Sequence, residues 1–105
     1  MEDTFITDIT QTCKLLGDEI RMKIVAELSS GPKNVTTLCK SLNLAQPNVS
    51  HHLGLLKTGR LVNAERNGKS VTYSLNTCMI KQLSDKLNEI IGSVDSPVPG
   101  SQSQA

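Results

Sequence analysis

Aromatic side chains are nearly missing from this sequence, which has one Phe, one Tyr and no Trp in 105 residues. The core must therefore be aliphatic, and a chain of this length supports one thin core and one domain. No run of 18 apolar residues occurs, which excludes a membrane-spanning helix. The opening Met1-Glu2-Asp3-Thr4 is acidic, with no basic segment and apolar run after it, so no secretory signal is expected. Cysteine is scarce and odd in number (Cys13, Cys39 and Cys78), which argues against a disulfide framework and for a reducing cytoplasm. A catalytic constellation is missing too. Cys39 precedes His51 and His52, but no acid stands at a spacing that would orient a histidine base. Most enzyme classes are thereby set aside.

Excess charge of either sign is also lacking, the net value being +1, but the charge is unevenly spread. Residues 1–30 carry six carboxylates against Lys14, Arg21 and Lys23. Residues 31–75 carry Lys33, Lys40, Lys57, Arg60, Arg66 and Lys69 against Glu65 alone. Residues 76–105 return to a slight acidic excess. A basic middle segment suits a surface facing a polyanion, although a solvated face would have the same composition.

Apolar spacing predicts a helix over about residues 4–16, carrying Phe5, Ile6, Ile9, Leu15 and Leu16. Gly17 interrupts it and Asp18 is a good N-cap for a second helix with Ile20, Ile24, Val25 and Leu28 on one stripe. Ser30-Gly31-Pro32 reads as a turn. A short third helix follows with Val35, Leu38 and Leu42, capped by Asn34 or Thr36. After the tight link Asn43-Leu44-Ala45, Pro47 fits only the first turn of a fourth helix. Its inner face is Val49, Leu53 and Leu56, its outer face Asn48, His51, part of His52, and Lys57, and Gly59 ends it. Two short helices so joined form a helix-turn-helix.

Two strands are expected next, Arg60 to Glu65 and Ser70 to Leu75, joined by Arg66-Asn67-Gly68-Lys69 with its Asn-Gly hairpin signal. A last helix over about 77–91 shows Ile80, Leu83, Leu87, Ile90 and Ile91 as an apolar seam. The polar tail 93–105 has too little apolar content to order itself. The expected architecture is mostly α with a β-hairpin, a winged helix-turn-helix occupying residues 1–92 in the order of four helices, two strands and a fifth helix.

Three segments of the chain resemble the ArsR/SmtB family of bacterial repressors. They are Leu44-Ala45-Gln46-Pro47-Asn48-Val49-Ser50-His51-His52-Leu53-Gly54-Leu55-Leu56 in the fourth helix, Leu16-Gly17-Asp18-Glu19-Ile20-Arg21-Met22-Lys23-Ile24 opening the second, and Arg66-Asn67-Gly68-Lys69-Ser70-Val71-Thr72-Tyr73-Ser74-Leu75 in the wing. The resemblance covers about residues 12–80. It implies a homodimer joined through the first and fifth helices, bound to a pseudo-palindromic operator in double-stranded DNA and repressing transcription.

In such a fold the fourth helix enters the major groove and the wing follows the neighbouring backbone. Gln46 and Asn48 then carry amides suited to adenine, and His51 adds a donor or acceptor for base edges. Ser50 reaches a base or a phosphate. Lys57, Arg66 and Lys69 contact phosphate, as do Thr36 and Thr37 near the third helix's start. Asn48 and Gln46 could instead simply solvate a helix start. His52 is expected to bond across helices rather than read bases. Ala45 stands where the family commonly has serine, so the fourth helix should lack a side-chain cap worth about 1 kcal/mol.

Many members of the family sense metals or arsenite through two known sites. The third-helix site Cys-Val-Cys-Asp-Leu-Cys corresponds here to Asn34-Val35-Thr36-Thr37-Leu38-Cys39, which keeps only the third cysteine. The fifth-helix site Asp-x-His with His-x-x-Glu corresponds to Thr77, Met79, Ile90 and Ser93, which offer no competent zinc ligand. His51 and His52 project about 100° apart and cannot chelate one ion. No cofactor is expected. Cys13, Cys39 and Cys78 are then buried small hydrophobes, redox-sensing thiols with Cys13 and Cys78 the pair of interest, or part of a non-standard metal site. A winged-helix protein-interaction module is the remaining alternative, but such modules usually lose the basic wing and polar reading face kept here in Arg66, Lys69, Asn48 and His51.

Overall fold

The computed structural model describes residues 3–92, so the expectation for the tail 93–105 lies outside the described residues. Helices α1 (Asp3–Leu16), α2 (Glu19–Leu28), α3 (Val35–Leu42), α4 (Gln46–Thr58) and α5 (Thr77–Gly92) are joined by strands β1 (Lys33–Asn34), β2 (Val62–Asn67) and β3 (Ser70–Leu75). The starts of α2, α3 and α4 have local causes. Asp18 sits in extended backbone ahead of α2 and accepts the Arg21 N–H at 3.1 Å. Asn34 caps α3 in the same way, accepting the Thr37 N–H at 2.8 Å. Ala45 precedes α4 with no side-chain cap, as its methyl dictates, and Pro47 occupies the first turn, where a missing N–H costs nothing.

Two features of the sheet depart from the sequence reading. A third strand, β1, pairs antiparallel with β3, Lys33 opposite Tyr73 and Asn34 opposite Thr72, so β3 is central in the order β1-β3-β2. Two residues are too short to show any alternation, and their partner lies some forty positions away. The hairpin's first strand also begins at Val62 rather than Arg60 and runs on to Asn67, which pairs with Ser70. The two-residue loop is therefore Gly68-Lys69, with Gly68 at φ 66° as the first loop residue.

The late start of β2 follows from how α4 ends. The Arg60 N–H bonds to the Lys57 carbonyl and the Leu61 N–H to that of Leu56, the paired bonds of a Schellman cap. The residue this motif turns left-handed is Arg60, at φ 65°, a place usually held by glycine. The available glycine, Gly59, stands one residue earlier at φ −81°. A Cβ there would run into Leu15 Cδ1 of α1, so Gly59 permits close helix approach while Arg60 accepts the strained turn. Asn76 then secures the corner. Its side-chain amide donates to the Arg60 carbonyl at 2.9 Å, and its Oδ1 accepts the Met79 N–H at 3.2 Å to cap α5.

One aliphatic core unites α2, α3, α4 and the start of β2: Ile24, Leu28, Leu38, Val49, Leu53, Leu56, Leu61 and Val62. The stripes anticipated on α2, α3 and α4 all point into it. Helices α1 and α5 differ. Ile9 is the one buried residue of α1, α5 has none, and Ile6 and Ile91 are 43% and 63% exposed.

Candidate nucleic-acid interface

Helix α4 is held by Val49, Leu53 and Leu56, all wholly buried, and this fixes which side faces out. Gln46, Asn48, His51 and Lys57 are exposed, and Ser50 is half-buried beside them. Gln46 and Ser50 lie one turn apart, and the Gln46 Nε2 donates to the Ser50 Oγ at 2.6 Å. The His51 ring sits edge-on to that of His52, with centroids 5.2 Å apart.

The wing meets this helix at its N-terminal end. A cleft of about 250 Å³ is lined by Asn34, Val35 and Thr36 at the start of α3, Gln46 at the start of α4, and Lys69, Ser70 and Val71 in the hairpin. Two helix N-termini, each favourable to negative charge, thus open beside a lysine at the wing's tip. Thr37 is exposed at the same end of α3, but its N–H is already given to Asn34, so the hydroxyl is what it can offer an incoming group. Arg66 is exposed near the far end of β2.

Lys57 stands apart from this group. Eleven residues along α4 from Gln46, or roughly 16 Å, it lines a different cleft of about 370 Å³ with Arg60, Asn63 and Asn76. Arg60, absent from the expected site, is exposed there and adds a second cation to that end. The basic count in the middle of the chain includes it, but its position depends on the left-handed turn, which no sequence pattern announces.

On the inner side of α4, His52 faces the N-cap of α2 across the helices, near Asp18 but without the expected bond. Its Nδ1 lies 3.7 Å from Asp18 Oδ2, and Arg21 Nε lies 3.9 Å from the same oxygen. Both nitrogens are buried and make no hydrogen bond among the described residues, so Asp18 is the carboxylate that faces them both. The Arg21 N–H above all, together with the charges of His52 and Arg21, holds the Asp18 carboxyl below the ordinary carboxylate range, against an opposing push from desolvation. Helix α4 thereby faces the cap of α2 at His52, the residue that follows the exposed His51. Arg21 was legible only as part of the family-like opening of α2, not as a partner of His52.

The cysteines are all free thiols. Cys39 is half-buried against the core, as a packing residue would be, whereas Cys13 and Cys78 are exposed in the single protomer. Cys78 Sγ accepts a long contact from Gln82 Nε2 at 3.8 Å. Among the described residues no group of three His, Cys, Asp or Glu side chains is placed to hold a metal ion. No described helix is long and apolar enough to cross a membrane.

Comparison with known proteins bears directly on this arrangement. Residues 18–64, from the α2 cap through β2, match the family described as "Bacterial regulatory protein, arsR family". The chain is 30% identical over 82 residues to the transcriptional repressor SdpR of Bacillus subtilis (strain 168), covering 78% of this chain and 88% of that repressor. It is 42% identical over 67 residues to the arsenical resistance operon repressor of Escherichia coli (strain K12), covering 63% of this chain and 57% of that one. Among solved structures, HlyU from Vibrio cholerae N16961 superposes with a TM-score of 0.72 at 27% identity, over 86% of this chain and 97% of HlyU. These relatives are DNA-binding regulators and not enzymes, and the fold is that of a winged helix-turn-helix. The chain belongs to the ArsR family of bacterial regulatory proteins.

Proposed function

We propose that the protein is a homodimeric, sequence-specific repressor of transcription that binds a pseudo-palindromic operator through α4 and the β2–β3 wing. The observation that carries this reading is the cleft where Thr36, Gln46 and Lys69 converge, with Asn48 and His51 exposed on the adjoining face of α4. In it Gln46, Asn48 and His51 address base edges, while Thr37, Lys57, Arg66 and Lys69 hold phosphates. The dimer is supported by α1 and α5, whose apolar sides stay largely uncovered in one protomer. A second copy covering them sets two reading helices about one turn of DNA apart. Membership of a family of DNA-binding regulators supports a cytoplasmic location.

Of the family's two familiar metal sites, the residues at those positions keep only Cys39 as a possible ligand. Exposure of Cys13 and Cys78 favours a second reading of how the repressor is released, by thiol oxidation. Two thiols would lose two electrons and two protons to a peroxide, forming one S–S bond and two waters.

Fluorescence anisotropy on the DNA upstream of the gene tests both readings. Specific binding should fall steeply with salt, by a slope of about −0.9 per phosphate neutralised. Arg66→Ala and Lys69→Ala should each flatten that slope by about one unit for every sequence. Asn48→Ala and His51→Ala should lower affinity for the operator alone, by roughly 1–3 kcal/mol. Binding that is unchanged by mild oxidation would remove the thiol reading and leave the repressor intact.

A further inference from the structure

The contact between Gln46 and Ser50 has a consequence for which base the helix accepts. A glutamine amide carries two N–H donors and one carbonyl acceptor. One Nε2–H is given to Ser50 Oγ at 2.6 Å, which leaves one N–H and the Oε1 for a base. Adenine presents an acceptor, N7, beside a donor, the N6 amino group, on its major-groove edge, whereas guanine presents two acceptors, N7 and O6. The remaining donor and acceptor of Gln46 complement adenine. Against guanine the Oε1 would confront O6, acceptor to acceptor, because the second N–H is engaged. Gln46 sits in the first turn of α4, exposed and lining the cleft with the wing, where a base edge would arrive. The contact also holds a long side chain in one orientation before DNA is met, which reduces the ordering cost of binding.

We infer that Ser50 is a specificity-determining residue: by fixing the orientation of the Gln46 amide it makes α4 select adenine over guanine at the base pair Gln46 reads. The inference rests on the DNA-binding reading above, and it gives Ser50 a positioning role in place of a contact of its own with a base or a phosphate.

Selection from a randomised duplex library by the full chain, followed by sequencing, tests it for the wild type, Gln46→Ala, Ser50→Ala and Ser50→Thr. Thermal melts of each variant confirm that it folds. The wild type should show one base pair per half-site at which adenine exceeds guanine by roughly tenfold, a preference that Gln46→Ala abolishes. Ser50→Ala should reduce that ratio to about threefold or less while leaving other positions unchanged, and Ser50→Thr, which keeps the hydroxyl, should restore it. A wild-type preference for guanine at the Gln46 position would overturn the inference, because it requires the reversed amide. So would a Ser50→Ala profile equal to the wild type, or a loss spread evenly over all sequences with a flatter salt slope, which marks a phosphate contact. Failure of the wild type to enrich any sequence would instead defeat the DNA-binding reading itself.

Discussion

In α4 the inner residues Val49, Leu53 and Leu56 are wholly enclosed by their own protomer, whereas α5, three residues longer, buries no side chain there. Both helices carry apolar residues at three- and four-residue spacing, so periodicity alone ranks them equally. The difference lies in what surrounds them. Helices α2, α3 and the first residues of β2 close over α4, while α5 lies along α1, sets Met79 and Ile80 against the core and has no buried residue along its length. One region is enclosed within a single chain; the other leaves its apolar side part-exposed there.

The comparison breaks most visibly at Leu53. Leu53→Ala should cost about 2–5 kcal/mol of stability by urea denaturation, because the enclosing helices cannot collapse into the space. Leu87→Glu in α5 should hardly change the stability of a dilute, monomeric sample. Sedimentation at micromolar concentration should then show dimers for the wild type and monomers for the variant. If Leu87→Glu instead unfolded the monomer, α5 would belong to the core after all.

The tie between the two parts of the reading region is sharpened by Asp18→Asn. Asparagine caps a helix as well as aspartate does, so α2 should still form. What disappears is the charge that His52 and Arg21 share. The Asp18 carboxyl is depressed in the folded protein, so its contribution is present above the ordinary carboxylate value and lost as pH falls through that value and below. The urea midpoint of the variant should therefore change less between pH 7 and pH 3 than that of the wild type. The smallest effect is expected at Arg60→Gly, which relieves a left-handed residue and should raise stability by about 1 kcal/mol. It should also remove a cation from the Lys57 end of α4 and weaken DNA binding slightly.

Much of the architecture is legible in the residues because local causes act locally. Asp18, Asn34 and Pro47 mark helix starts through bonds or steric fits within one turn, and the stripe of Val49, Leu53 and Leu56 names the side of α4 that is hidden. What is not legible depends on contacts between distant segments. The strand at Lys33–Asn34 exists because β3 offers it an edge. The left-handed turn falls on Arg60 because the cap bonds from Arg60 and Leu61 to Lys57 and Leu56 put it at that position, one residue past the glycine. At the interface, the outward residues of α4 follow from its inner stripe, but the cleft that gathers Thr36, Gln46 and Lys69 does not, since three elements must first be packed together. The bond between Gln46 and Ser50 falls between these cases: its spacing suits a helix turn, yet only the rotamers decide whether it forms.

The short strand β1 also changes how the wing should behave mechanically. A hairpin attached to the body by its ends alone would swing on two hinges. Here β3 is clamped on both flanks, and Asn34 simultaneously pairs with Thr72 and caps α3. The wing is in effect a lever whose fulcrum is the first residue pair of the helix-turn-helix. Displacing β3 at Thr72 would therefore disturb the cap of α3 as well, because Asn34 serves both.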